Sequence, residues 1–245
     1  MKFLPGFLLA FFAIIFTGCF DILEDISLNK NGSGSYKIVF DMDGIISDPF
    51  MKEMLLDAIK NDANIKVDDI GNLALDSTIY FRDDPQFAKY KDNKILWETA
   101  KMHMLVNEEK GKMFIDFGFD FNDVSDIASF FKSFNEGNEA QEMFAGFEQI
   151  VSGSTFVYKK KSLSRLPSTK GDNSITDNFK DEDMAMLKMF ITNSKLKTSY
   201  HFPGKVKKSS IPNSVIENNE VTVAIPLLEL MEGSAKMDGE IKFKN

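Results

Sequence analysis

The chain of 245 residues is 43% hydrophobic and 27% charged, an ordinary globular composition that excludes disordered, collagen-like and coiled-coil chains. Its 29 Lys and Arg stand against 37 Asp and Glu, and a net charge of −8 argues against a general nucleic-acid binder, which needs a basic face. A single Cys excludes an internal disulfide, and one Cys with two distant histidines, His103 and His201, cannot make a zinc site.

Residues 1–18 open with Met1 and Lys2, continue through an apolar run from Phe7 to Phe16, and end at Thr17-Gly18 before Cys19, the three parts of a secretory signal in order. The apolar run is shorter than the ~20 residues a helix needs to span a bilayer. The only Cys therefore sits at the expected cleavage point. The quartet Phe16-Thr17-Gly18-Cys19 resembles the lipobox of bacterial lipoproteins. That resemblance implies cleavage before Cys19, a diacylglycerol on its thiol and further acylation, such as palmitate. Two or three chains, at about 0.8 kcal/mol per buried CH₂, make an effectively permanent anchor. Cleavage would remove one charged residue, Lys2, and take the net charge from −8 to −9. The acyl chains, not electrostatics, would then hold the domain on an anionic surface. Phe20, not Asp, follows the Cys, and by resemblance to diderm sorting rules this points to the outer membrane in preference to the cell membrane. The expected organisation is a cleaved signal, 1–18, and a single domain, 19–245, outside the cytoplasm.

Almost no linker separates Cys19 from the fold, because Ile22 to Leu28 already alternates as a strand does. Asn31-Gly32-Ser33-Gly34 reads as a turn, and Tyr36, Ile38, Phe40 and Met42 alternate against Lys37, Val39, Asp41 and Asp43, so residues 22–43 predict an antiparallel hairpin. Ser47 predicts a helix cap, with Pro49 in the first turn and Phe50, Met51, Met54, Leu55, Ala58 and Ile59 at helical spacing to Lys60. Residues 65–92 suggest a strand through Ile79 and Phe81, ended by Asp83-Asp84-Pro85. A second hairpin is expected from Leu96–Val106 and Met113–Phe121, with Met113, Ile115, Phe117, Phe119 and Phe121 inward and Asp116, Gly118 and Asp120 in water. Helices follow at Asn122–Asn135 and Glu139–Val151, then a strand through Phe156 and Tyr158, a polar loop from Ser162 to Asn178 and a helix at Asp181–Thr192. Strands at Leu196–Phe202, Val221–Ile225 and Glu240–Lys244 complete the list. The predicted class is α+β: an antiparallel sheet built from hairpins, with amphipathic helices on one face.

One stretch looks catalytic. Phe40-Asp41-Met42-Asp43-Gly44 closely resembles the first motif of haloacid-dehalogenase-like phosphatases. That resemblance implies Asp41 as nucleophile, Asp43 as general acid/base and a bridging Mg²⁺. That fold needs the motif strand in a parallel sheet, whereas Asn31 to Gly34 tie it to an antiparallel neighbour. The best distal acidic candidate, Asp172 and Asp177, follows a polar loop. Strand alternation alone accounts for Asp41 and Asp43 as solvent-facing residues. No Gly-x-Ser-x-Gly elbow, phosphate-binding loop or EF-hand occurs, so neither a metal nor another cofactor is expected. Lys159, Lys160 and Lys161, with Arg165, form the one basic cluster, expected to be a solvated loop with headgroup contact as the alternative. His201 is expected at a strand end and not as a base.

With its lipid anchor, early hairpin, Gly-Ser-Gly turn and the segment Tyr200-His201-Phe202-Pro203-Gly204, the chain resembles LppM-type and related bacterial lipoproteins. The resemblance implies an α+β domain at a membrane surface, with lipids or other hydrophobic molecules bound by some members. It assigns no functional residues beyond Cys19. Ten phenylalanines lie between Phe114 and Phe156, and flexible Met102, Met104, Met113 and Met143 would suit an apolar groove. The leading expectation is a non-catalytic lipoprotein binding a hydrophobic ligand or an envelope protein, and the rival is a Mg²⁺-dependent phosphatase using Asp41 and Asp43.

Overall fold

The computed structural model describes residues 20–53, 74–83, 85, 88, 91–135, 155–167, 188 and 191–244. Strands β1 (Asp21–Leu28) and β2 (Gly34–Asp41) form the first hairpin, in register from Asp21↔Asp41 to Leu28↔Gly34. Gly32 supplies the left-handed backbone of the turn at φ 90°. Gly34 lies so close to the Ser27 carbonyl and the Phe121 ring that a methyl group there would overlap both. The strand ends two residues earlier than its alternation predicts. Asp43 opens a short helix, α1 (Asp43–Ser47), because the Asp41 carboxylate accepts the Asp43 amide at 3.0 Å and turns the chain. The next helical segment, 49–53, is capped by Asp48 and not by Ser47, with Phe50 N and Met51 N each donating to Asp48 Oδ1 at 3.0 Å.

β3 (Ala74–Tyr80) runs into a single 3-10 turn (Phe81–Asp83). The predicted strand Leu96–Val106 divides into α2 (Lys94–Thr99) and β4 (Lys101–Asn107). Asn93 caps the helix by accepting Leu96 N at 3.2 Å, and buried Leu96 and Ala100 stand one helical turn apart. β5 (Lys112–Phe121) turns back and is followed by α3 (Asp126–Asn135). That helix starts four residues later than predicted, because Ser125 donates both its amide and its hydroxyl to Asp123 in a tight turn. β6 (Thr155–Lys159) and β7 (Ser162–Leu166) form a hairpin where the sequence predicts that a polar loop begins. The rest is β8 (Lys195–His201), β9 (Val206–Ser209), β10 (Val215–Glu217), β11 (Glu220–Pro226), α4 (Leu227–Met231) and β12 (Gly239–Phe243). The predicted helix at Glu139–Val151 lies outside the described residues, as does most of that at Asp181–Thr192.

The single antiparallel sheet of the sequence reading is two sheets. The larger has the order β10-β11-β8-β1-β2-β5-β4-β3, and it is mixed, because β1 and β8 run parallel. The smaller has the order β6-β7-β12-β9, so the last strand lies inside this second sheet, between β7 and β9, and not in the first. The described residues are mostly β, with few and short helices. The inner face of the large sheet presents Ile22, Ile26, Tyr36, Ile38, Leu196 and Val223. They join Leu163, Phe156, Ile241 and Phe243 of the smaller sheet, Ile127 and Phe130 of α3, and Val124 just before it, in one apolar cluster. Rings interlock across it: Phe119 to Phe130 at 4.6 Å, Tyr36 to Phe119 at 5.3 Å and Phe202 to Phe243 at 4.7 Å between centroids.

Candidate functional site

Within that cluster sits a polar group the sequence does not announce. Glu24 falls on the inward side of β1, in phase with Ile22 and Ile26, and is 2% exposed. Its carboxylate accepts from Arg165 Nη1 at 2.8 Å, from Thr198 Oγ1 at 2.7 Å and from Tyr36 OH at 3.1 Å. Arg165, also 2% exposed, donates to Tyr200 OH at 2.9 Å and lies 5.2 Å from the centre of the Phe156 ring. Burial, reinforced by the negative charge of Glu24, pushes the Tyr36 hydroxyl well above its ordinary value. Burial raises Tyr200 as well, against the opposing pull of Arg165. Burial disfavours the Arg165 cation, but Glu24 and Tyr200 more than compensate and hold it more firmly protonated than usual. The five side chains join β1, β2 and β8 of the large sheet to β7 of the small one. They form a sealed clamp between sheets, closed to substrate.

The phosphatase-like pair is placed otherwise. β2 has antiparallel neighbours on both sides, β1 and β5, so the motif strand is not the parallel one that family requires. Asp41 Oδ1 holds the Asp43 amide. Asp43 Oδ1 accepts Met113 N at 2.8 Å, and its other oxygen pairs with Lys112, which that hydrogen bond and charge raise above its ordinary value. Asp41 thus ties the end of β2 to the start of α1, and Asp43 fastens α1 to β5. Both oxygens of Asp43 are engaged within the fold. Among the described residues no three His, Cys, Asp or Glu side chains converge as metal ligands.

On the opposite, open face of the large sheet both histidines stand between carboxylates. His201, the last residue of β8, meets Asp25 at 2.8 Å through Nε2 and Glu220 at 3.9 Å through Nδ1. His103 meets Asp76 at 2.9 Å and Asp116 at 3.4 Å, and Lys37 reaches Asp116 at 3.3 Å. Each ring is approached on opposite nitrogens, so neither group converges on one point. Asp116, expected in water, is buried under these partners. Of the predicted basic cluster, Lys159, Lys160 and Lys161 remain on the surface at the β6–β7 turn, whereas Arg165 leaves it for the clamp.

Three of the four methionines singled out in the sequence come together. Ile79, Met102 and Phe117 are register partners on the inner face, followed by Ser77, Met104 and Ile115, then Leu75, Val106 and Met113. Phe117 is buried. Beyond it this apolar stripe is half-buried and reaches the surface at Leu75, which is 45% exposed. Met143 and Cys19 lie outside the described residues. Among the described residues no helix is long and apolar enough to cross a membrane.

No family model matches the chain, and no curated protein does. A solved structure is similar: the folded domain of Mycobacterium tuberculosis LppM, determined by NMR, aligns over 93% of this chain and 91% of its own length, at 9% identity and a TM-score of 0.39.

Proposed function

We propose that this chain is a lipid-anchored, non-catalytic envelope lipoprotein, held outside the cytoplasm by acylated Cys19, whose domain binds a hydrophobic ligand or an apolar segment of an envelope protein. The observation that carries the binding reading is the stripe through Met102, Met104, Val106, Met113 and Ile115, continuous with the core and half-open at the β3 end. Flexible thioethers adapt to acyl chains of varied shape without a fixed polar pattern. The contacts that Asp41 and Asp43 make within the fold favour this reading over the rival phosphatase.

Two measurements test the two halves separately. Cys19→Ser, lacking the acyl acceptor, should leave the precursor uncut and unlabelled by radioactive palmitate; normal labelling would refute the anchor. A soluble form of residues 20–245 should bind a fluorescent fatty acid saturably, and Met104→Lys should weaken that binding at least tenfold with the fold retained. Equal binding by both would refute the stripe as the ligand site.

A further inference from the structure

The anchor, if Cys19 carries it, fixes more than attachment. Cys19 is two residues from Asp21, the first residue of β1, and two residues span at most about 7 Å. An acylated Cys19 therefore brings the β1 start, in the middle of the large sheet, down to the bilayer surface. The topology specifies what shares that end. Asp21 pairs with Asp41, and Asp41 with Phe114, so the end of β2 and the start of β5 are there. Asn107 pairs with Lys112 and with Ala74, which adds the β4–β5 turn and the start of β3. The segment 42–53 lies over this turn, tied by Asp43 to Lys112 and by Lys52 to Glu108.

Phe50, on that segment, is 63% exposed, the most exposed of the large hydrophobic side chains described, and Leu75 at the same end is 45% exposed. Of the carboxylates on and beside this segment, Asp43 pairs with Lys112 and Glu108 with Lys52, Asp48 accepts the Phe50 and Met51 amides, and Glu53 is exposed; the lysine stems can lie along a bilayer with their ammonium groups among the headgroups.

We propose that the end of the large sheet carrying the β1 start is a membrane-seating surface, with Phe50 inserted at the lipid interface and Leu75 beside it; this rests on the lipidation of Cys19. The occupant is the bilayer itself, since the tether is too short to hold any other object against this end. Seating turns a single flexible attachment into a defined orientation. The β1–β2 turn then points away, about 23 Å further along the eight residues of β1.

The test uses the acylated lipoprotein in phosphatidylcholine vesicles containing lipids brominated at a shallow acyl position, in a Trp97→Phe background that removes the native tryptophan. Phe50→Trp should be quenched at least twofold, and Lys30→Trp at the distal turn should be unquenched. Leu75→Trp reports the same seating should the Phe50 substitution disturb its short helix. If Phe50→Trp and Leu75→Trp are both quenched no more than Lys30→Trp while the protein still floats with the vesicles, the seating surface is refuted and the anchor stands. If the protein does not float, the anchor itself fails and the seating surface falls with it.

Discussion

Arg165→Met tests whether the clamp between the sheets has the strength its geometry implies. Arg165 and Glu24 side chains are each 1% exposed, and the guanidinium serves both the Glu24 carboxylate and the Tyr200 hydroxyl. Methionine keeps much of the volume, so the main loss is electrostatic. Glu24 is left buried with only the Thr198 and Tyr36 hydroxyls, and removal of one partner from a buried pair costs about 3–5 kcal/mol. For a domain of this size 1 kcal/mol corresponds to roughly 2–4 °C in Tm, so the expected drop is about 6–20 °C. The second arm is Glu24→Leu combined with Arg165→Met. It removes the orphaned charge, and the pair should return to within about 1–2 kcal/mol of the native protein, because burying two ions is costly even when they are matched. Urea unfolding followed by Trp97 fluorescence reads both variants. A cost below about 1 kcal/mol for Arg165→Met, or a double variant no more stable than the single, would refute the assignment of an uncompensated buried charge.

Further expectations follow from the same cluster and from the motif strand. Tyr36 and Tyr200 are raised by burial, so the fold keeps them protonated while the unfolded chain ionises them near pH 10. Their contribution to stability is complete well below pH 10 and is lost as pH rises from there towards each raised value, at up to about 1.4 kcal/mol per pH unit for each tyrosine; urea titrations between pH 9 and 11 that show no loss of stability would contradict this. Phe119→Asp places an unpaired charge against the Tyr36 and Phe130 rings, with an expected cost of about 3–5 kcal/mol; an unchanged melting temperature would mean the faces of β5 are inverted. Asp41→Asn keeps an oxygen for the Asp43 amide, so the expected change in stability is within about 1 kcal/mol. The purified protein with Mg²⁺ should hydrolyse no phosphate monoester above background, and a turnover abolished by Asp41→Asn would promote the phosphatase reading.

The strands that are most regular in sequence are the ones found in the fold. β2 and β8 alternate in burial residue by residue, β1 does so although Glu24 is inward and Leu23 outward, and β5 does so from Phe117 on; a period of two records a buried face and a wetter one directly. Three kinds of feature were not legible. The separation into two sheets depends on which hairpins meet, and β7, with its sequence Ser162-Leu163-Ser164-Arg165-Leu166, carries too many polar groups to be distinguished from a loop. The α2–β4 boundary rests on a cap, Asn93, inside an apolar stretch where helix and strand periods overlap. The parallel pairing of β1 with β8 joins residues more than 170 positions apart, and no local pattern encodes it.

The candidate site shows how a local motif and a tertiary fold can disagree. Asp41-Met42-Asp43-Gly44 has the composition of a catalytic turn because both uses need the same local chemistry: an acid at the end of an apolar strand, a second acid two residues on, and a tight change of direction. Here the first acid accepts the amide of the second, and the second binds Met113 N and Lys112 across the sheet. The signal that does mark a buried charge is quieter. Glu24 lies in phase with Ile22 and Ile26, Thr198 and Tyr200 in phase with Leu196, and Arg165 in phase with Leu163, so each polar residue occupies an inward position of its strand. One such residue predicts only a misplaced polar group. Four on three strands, carrying one acid, one base and hydroxyls between them, satisfy one another when brought together, because a charge in phase with a core requires a partner from another strand.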